Sequence, residues 1–181
     1  MPMRCGLGFF RRQAQRPGLT FDGPVFLSGD LTLNGGGASV AFNGELGWGK
    51  GLSDRPFPVF KHFYSGGLGS VRGFDQGTLG PRDVTGSTIG GPKKLTLNAE
   101  LITPFPGAGN DRTLRLFGFF DMGNVFGEEQ KIKLGELRAS TGVGLSWVSP
   151  VGPLRLAIAN PVRKFAGDRI QRLQFQIGTS F

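Results

Sequence analysis

Residues 137–147 read LRASTGVGLSW, and this stretch decides the fold class. Its odd-numbered positions carry Leu, Ala, Thr, Val, Leu and Trp, whereas its even-numbered positions carry Arg, Ser, Gly, Gly and Ser. Successive side chains of a β-strand point to opposite faces of a sheet, while a helix repeats about every 3.6 residues. The stretch therefore predicts a β-strand with one apolar face and one small or polar face.

The same alternation recurs in five further segments. Phe117 and Phe119 interrupt the polar face of one of them, and a weaker Leu31/Leu33 alternation within residues 19–34 indicates a possible additional strand. Six strands are predicted with an apolar face. The apolar positions of the five further segments are Val40, Phe42, Leu46 and Trp48; Leu95, Leu97, Ala99 and Leu101; Leu114, Leu116 and Phe120; Leu154, Leu156 and Ile158; and Leu173, Phe175, Ile177 and Phe181.

Composition supports an all-β chain and excludes several classes of function. The 32 glycines and 17 phenylalanines among 181 residues suit strands joined by tight turns. The net charge is +8, but the basic residues are scattered, so no nucleic-acid partner is predicted. Cys5 and His62 are each the sole residue of their type, so no disulfide framework, metal site or other cofactor is expected.

Two features bear on membrane insertion and on the start of the chain. No segment approaches the roughly 20 consecutive apolar residues of a transmembrane helix, which leaves strands as the means of crossing a bilayer. Residues 1–18 contain four arginines and only a short apolar patch, unlike a signal peptide. We therefore expect residue 1 to be an internal or artificial boundary of a truncated chain, the alternative being a cytosolic protein with a flexible basic N-terminus.

One connection, residues 51–94, is far longer than an ordinary loop and is expected to be either functional or disordered. Its glycines do not form a nucleotide site, because Arg72 stands where a dinucleotide fingerprint has its third glycine. Residues 86–90 read GSTIG and place Thr88 where a hydrolase elbow has its nucleophilic serine. No catalytic residue is assigned, and an enzyme is not expected.

Alternation alone fits two architectures. In a soluble sandwich the apolar face would meet a second sheet, whereas in a membrane barrel it would meet lipid and the polar face would line the lumen. The predicted strands have about the 9–11 residues that a tilted membrane-crossing strand needs, but strand length does not separate the two.

A motif in the long connection carries a family resemblance. Val71-Arg72-Gly73-Phe74, continued by residues 75–83 (DQGTLGPRD), resembles the signature of the sixth extracellular loop in BamA-type outer-membrane insertases. The resemblance extends through residues 98–101 (NAEL), 119–126 (FFDMGNVF), 149–154 (SPVGPL) and 175–181 (FQIGTSF). The chain is thus divided into a poorly matched segment, residues 1–38, and a C-terminal barrel part, residues 39–181.

The resemblance implies an antiparallel transmembrane β-barrel of sixteen strands, of which this chain supplies the last six or so. It also implies that the long loop folds into the lumen, where Arg72 pairs with Glu100 and Asp121 on the barrel wall. Six strands are fewer than the eight of the smallest natural barrels, so this chain alone is not expected to close. The closing residues resemble the C-terminal β-signal of outer-membrane proteins, carried here by Phe175, Ile177, Gly178 and Phe181.

The implied function is to fold and insert other proteins in the bacterial outer membrane without covalent chemistry. The seam at the last strand would open and template an incoming strand by β-augmentation. The expected partners are membrane lipid, nascent outer-membrane proteins and lipoproteins of an assembly complex. Alternatives are a TamA-like factor or two-partner-secretion transporter, a passive porin, a soluble sandwich with a binding role, and a non-functional fragment.

Overall fold

The computed structural model describes residues 4–6, 25–35, 38–51, 56–107, 113–149 and 152–178. Neither of the short 3₁₀ helices in these ranges, Val59–Lys61 and Leu134–Glu136, is long and apolar enough to span a bilayer. The rest of the regular structure is β. The strands are β1 (Arg4–Gly6), β2 (Val25–Gly35), β3 (Ala38–Trp48), β4 (Gly73–Phe74), β5 (Lys93–Pro104), β6 (Leu114–Phe126), β7 (Arg138–Ser149), β8 (Gly152–Arg163), β9 (Ile170–Gln171) and β10 (Leu173–Ile177).

Eight of these strands form one antiparallel sheet in the order β1-β2-β3-β5-β6-β7-β8-β10. The six predicted strands are confirmed as β3, β5, β6, β7, β8 and β10. The Leu31/Leu33 alternation belongs to the full strand β2, which pairs with β3 from end to end, and the short β1 was not predicted. The last described strand runs from Leu173 to Ile177, and Phe181 of the predicted strand lies outside the described residues.

One face of the sheet, which we call the bare face, is apolar and uncovered by the described chain. Its large side chains are 37% to 71% exposed, although a soluble domain would bury an apolar surface of this extent. A membrane barrel presents such a face to lipid. The bare face comprises Leu31, Leu33, Phe42, Leu46, Trp48, Leu97, Leu101, Phe120, Val143, Trp147, Leu156, Ile158, Leu173, Phe175 and Ile177.

The opposite face is covered by the connection between β3 and β5, whose residues 56–92 we call the inward loop. Isolated bridges between Phe63 and Gly91 and between Ser65 and Leu79 hold the loop together. Gly123 on β6 lets the loop approach the sheet closely, since a Cβ at this position would lie 2.7 Å from a methyl carbon of Val71. The inward loop therefore packs directly against the sheet.

Two phenylalanines on β6 explain the interruption of the polar face noted in the sequence. Phe117 lies opposite Gly144, and Phe119 opposite Gly142, in the β6–β7 register. Both rings are buried on the loop side, where they pack with alanines of β8. Phe117 and Phe119 thus fill space that the two glycines leave open, beneath the inward loop rather than against lipid.

An exposed part of the inward loop makes a compact turn at residues 83–87. The Asp83 carboxylate accepts hydrogen bonds from the Thr85 hydroxyl and from the amides of Thr85 and Ser87. The bond from the Thr85 side chain, followed by that from the Ser87 backbone, holds the pKa of Asp83 below its ordinary value. The contacts of this carboxylate are local to the turn.

Candidate functional site: an inward loop anchored to the sheet

The motif at residues 71–74 lies where the inward loop is buried against the sheet. Val71 and Phe74 are fully buried in one apolar cluster with Leu79. Gly73 has a φ of +88°, and a Cβ on it would lie 3.0 Å from the Cβ of Ala159. Left-handed backbone and close approach both call for glycine here. Three of the motif residues therefore fix the position of the fourth, Arg72.

Arg72 is bound to β6 through its side chain and its backbone. Its Nε donates to Asp121 Oδ2 at 2.6 Å and its Nη2 to Oδ1 at 2.7 Å, while its backbone N–H donates to Oδ2 at 3.1 Å. The two side chains are 5% and 0% exposed. A bidentate, charge-assisted pair of this kind is among the strongest hydrogen-bonded contacts in proteins. Asp121 therefore anchors the loop to the middle of the sheet.

The second carboxylate joins a further arginine to the site. Arg72 Nη1 donates to Glu100 Oε2 at 2.7 Å, and Arg155 Nη2 donates to Glu100 Oε1 at 2.5 Å. The four formal charges of Arg72, Arg155, Glu100 and Asp121 cancel. Cancellation matters because a buried charge without a partner is costly. Sequence reasoning paired Arg72 with both carboxylates but did not include Arg155.

The flat faces of the guanidinium groups lie against the rings of β6. The Cζ of Arg72 is 3.7 Å from the Phe119 ring centroid and 5.7 Å from that of Phe117. The Cζ of Arg155 is 4.8 Å from the Phe117 centroid. Cation–π attraction strengthens when water is excluded, as it is around Arg72. The two aromatic residues on a polar face were the sequence signal for this contact, but they were not assigned to the site.

Asn98 completes the anchor and was also not assigned from sequence. It lies directly opposite Asp121 in the β5–β6 register. Its Nδ2 donates to Asp121 Oδ1 at 2.9 Å and to the Ser70 carbonyl at 2.6 Å. Asn98 thus orients the carboxylate and binds the loop backbone two residues before Arg72.

The far side of the motif contacts the end of the chain. Gly73 and Phe74 form β4, which pairs with Gln171 and Ile170 of β9. Gln174 of β10 reaches the same two motif residues with its side-chain amide. Residues 72–74 therefore connect β5 and β6 to the last strand of the sheet.

The residues of the predicted C-terminal signal lie apart from the charge cluster. Phe175 and Ile177 are 71% and 67% exposed on the bare face. Gly178 has a φ of +87°, and its amide donates to the Pro153 carbonyl at 2.8 Å. Phe181 lies outside the described residues, and the role of this signal stays a prediction.

A second ion pair fixes the connection between β8 and β9 and was not predicted. Arg138 Nε and Nη2 donate to the Asp168 carboxylate at 3.2 and 3.0 Å, and its Nη1 donates to Asn124 at 2.9 Å. Asp168 also accepts from the Phe165 amide. This pair holds the segment that leads into β9, and so supports the strand that pairs with the motif.

Because the Arg155 side chain is more exposed than that of Arg72, its ion pair with Glu100 is predicted to contribute less to stability than the Arg72–Asp121 pair. The Arg155 side chain is 38% exposed, so its bond to Glu100 is screened by water, and such pairs contribute about 1 kcal/mol or less. Arg155→Ala is expected to shift the urea midpoint of barrel unfolding only slightly. A loss as large as that of a variant without Asp121 would contradict this ranking of the two contacts.

The sequence of this chain matches a known protein family. The Omp85 superfamily domain matches residues 24–181. This chain belongs to the Omp85 superfamily. The match begins just before β2, so the family domain includes a strand that lies upstream of the region carrying the motif resemblance.

Individual Omp85 relatives agree with the family match. The outer membrane protein assembly factor BamA of Neisseria meningitidis serogroup B is 40% identical in an alignment 172 residues long, gaps included, that covers 79% of this chain and 22% of that protein. BamA of Nitratidesulfovibrio vulgaris is 35% identical in an alignment 128 residues long that covers 68% of this chain and 16% of that protein. This chain therefore spans about a fifth of the length of these curated relatives.

A solved structure extends the likeness to the fold. The crystal structure of BamA from Haemophilus ducreyi lacking POTRA domains 1–3 superposes with a TM-score of 0.75 and 28% sequence identity. The superposition covers 84% of this chain and 33% of that one. The open eight-stranded sheet is thus a part of a BamA-like barrel, and its loop-covered face is the barrel interior.

Proposed function

We propose that this Omp85 member forms the C-terminal part of a barrel that folds and inserts other β-barrel proteins in the bacterial outer membrane. The observation that carries the proposal is the neutral charge cluster around Arg72. It holds an inward loop against the sheet by four hydrogen bonds from Arg72, three to Asp121 and one to Glu100. Relatives at 35% and 40% identity are outer membrane protein assembly factors, which favours an assembly role over a passive barrel.

The proposed partners follow from the two surfaces of the sheet. Membrane lipid contacts the bare face, whose apolar side chains are exposed. Nascent outer-membrane proteins are proposed to pair with β10, which has β8 as its one neighbour among the described strands. Lipoproteins of an assembly complex are proposed as partners of the whole protein.

The proposed mechanism involves strand exchange and no covalent chemistry. An unpaired strand edge offers backbone N–H and C=O groups that a client strand can pair with. The same pairing is lost when the client buds off as a closed barrel. In this proposal Arg72, Asp121 and Glu100 are anchoring residues, because their bonds hold the loop and need no change of protonation.

The proposal is tested by client insertion in proteoliposomes that contain the full-length protein. We expect the protein to accelerate insertion of an unfolded outer-membrane protein above the rate in empty liposomes. Arg72→Ala is expected to lower that rate about tenfold, and Arg72→Lys to recover only part of it, since lysine cannot form the bidentate pair.

The controls separate insertion from folding. Each variant must give the heat-modifiable band of a folded barrel before its rate is compared. No acceleration by the parent protein would indicate a passive barrel and would reject the proposed function. Acceleration by the parent protein with an unaltered rate in Arg72→Ala would reject the role of the loop anchor in insertion.

A further inference from the structure

Gln174 makes two hydrogen bonds that connect the last strand to the loop motif. Its Nε2 donates to the Phe74 carbonyl at 2.7 Å, and its Oε1 accepts from the Gly73 amide at 3.3 Å. Its side chain is buried, with the residue 3% exposed. If the side-chain amide were rotated by 180°, its NH₂ group would face the Gly73 N–H and its oxygen would face the Phe74 carbonyl. The two partners therefore fix the positions of Oε1 and Nε2.

The strand that carries Gln174 is paired on one side within the described sheet. β10 is described over five residues, Leu173–Ile177, and pairs with β8 alone among the described strands. The neighbouring strands β5 to β8 are 12 or 13 residues long and pair on both sides. The β4–β9 pairing holds the loop to residues 170 and 171, just before β10, and the Gln174 side chain is the contact that holds β10 itself to the loop.

The partner of Gln174 is itself rigidly held. Gly73 and Phe74 directly follow Arg72, whose guanidinium is bound to Asp121 and Glu100. Phe74 is fully buried, and the Asp75 amide donates to the Arg169 carbonyl at 3.0 Å. A displacement of β10 away from the sheet must therefore break the bonds of Gln174, because the loop cannot follow it.

We propose that Gln174 is a positioning residue that restrains the opening of the last strand, by linking that strand to the anchored backbone of Gly73 and Phe74. We call the two hydrogen bonds the Gln174 link. The inference rests on the proposed insertase function, in which β10 exchanges pairing partners, and it names a residue that limits how readily β10 separates from the sheet. The link breaks when the strand swings out and reforms when the strand returns.

Gln176 provides a matched control on the same strand. It lies two residues further along, on the same face as Gln174, and lines a cavity of about 540 Å³ beside the loop. No hydrogen bond of its side chain to another described residue is seen. Gln176→Leu therefore changes the same residue type on the same strand without cutting a link to the loop.

The test combines hydrogen exchange with client insertion in the full-length protein in liposomes. In Gln174→Leu, exchange of the Gly73 amide and of the β10 amides is expected to rise about tenfold, while β5 and β6 amides stay as in the parent protein. Because opening becomes easier, the initial rate of client insertion is expected to rise about threefold above that of Gln176→Leu.

A second variant guards against misfolding of the first. Gln174→Glu keeps an acceptor for the Gly73 amide but places an oxygen against the Phe74 carbonyl, so it should also increase exchange in β10. Exchange in β10 no faster than in Gln176→Leu would overturn the link. Faster exchange with an insertion rate equal to that of Gln176→Leu would overturn its role in opening.

The proposed function fails by a different outcome. If the parent protein does not accelerate insertion at all, the insertase assignment is rejected, and with it the role of Gln174 in insertion. The exchange data still report separately whether the link holds β10.

Discussion

Asp121→Ala is expected to release the inward loop and to lower the free energy of unfolding of the barrel by about 3 to 5 kcal/mol. The substitution leaves the Arg72 guanidinium buried with one carboxylate instead of two, and it gives the cluster a net positive charge. Asn98 loses an acceptor at the same time. The measurement is the urea concentration at which half of the protein has lost the heat-modifiable gel band of the folded barrel. Trypsin cleavage of the loop at Arg72 reports separately on release of the loop.

A double variant distinguishes lost charge balance from lost packing. Arg72→Met with Asp121→Leu removes one charge of each sign, and Glu100 keeps its bond to Arg155. Replacing a whole buried pair by apolar side chains is often nearly neutral. The double variant is therefore expected to be more stable than Asp121→Ala, although it has lost more hydrogen bonds.

Asp83→Ala is the control for this prediction. Asp83 is an exposed carboxylate on the same loop, and its contacts are local to the turn at residues 83–87. Its loss is expected to change the midpoint by well under half of the effect at Asp121. Equal effects at the two positions would show that Asp121 does not anchor the loop.

The strands could be predicted because one face of each carries apolar residues at every second position. β2 was predicted only in part, since Gly29 has no side chain to continue the apolar alternation of Leu31 and Leu33 toward the start of the strand. The partner strand β3 determines that β2 extends over its full length. Pairing with a neighbour is information that a single segment does not contain.

The composition of the charge cluster was harder to predict than its centre. The motif resemblance implied that Arg72 pairs with Glu100 and Asp121. Asn98 and Arg155 join them only through the register of β5 against β6 and through the direction of a long side chain on β8. Register depends on which strands pair and at what offset, and the alternation of one strand does not specify it.

The contact of Gln174 is the least predictable part of the site. Gln174 was placed on the polar face of the last strand, which is where the structure has it. Its partner Phe74 lies 100 residues earlier, and the path of the inward loop brings the two together. A polar position on a strand indicates its face but not the backbone group that it binds.

Gly144→Ala is expected to cost about 3 kcal/mol, because a Cβ at this position meets atoms that cannot all move aside. It would lie 2.3 Å from Cζ of Phe117 and 2.4 Å from the carbonyl oxygen of Leu156. The ring can rotate away, but the carbonyl belongs to β8, which pairs with β7 at this point. The expected result is a weakened β7–β8 pairing, measured as a lower urea midpoint and faster amide exchange in both strands.

Gly118→Ala separates this clash from the general effect of adding a methyl group to a strand glycine. Gly118 lies on the adjacent strand β6, and its nearest neighbouring atom would be 3.9 Å from the added Cβ. Gly118→Ala should therefore be neutral or slightly stabilising. Adding Phe117→Leu to Gly144→Ala should recover only the part of the loss due to the ring, because the Leu156 carbonyl stays in place. Full recovery would show that the Phe117 ring accounts for the whole loss of stability. Equal urea midpoints for Gly144→Ala and Gly118→Ala would refute the close approach of Gly144 to Phe117 and to the Leu156 carbonyl.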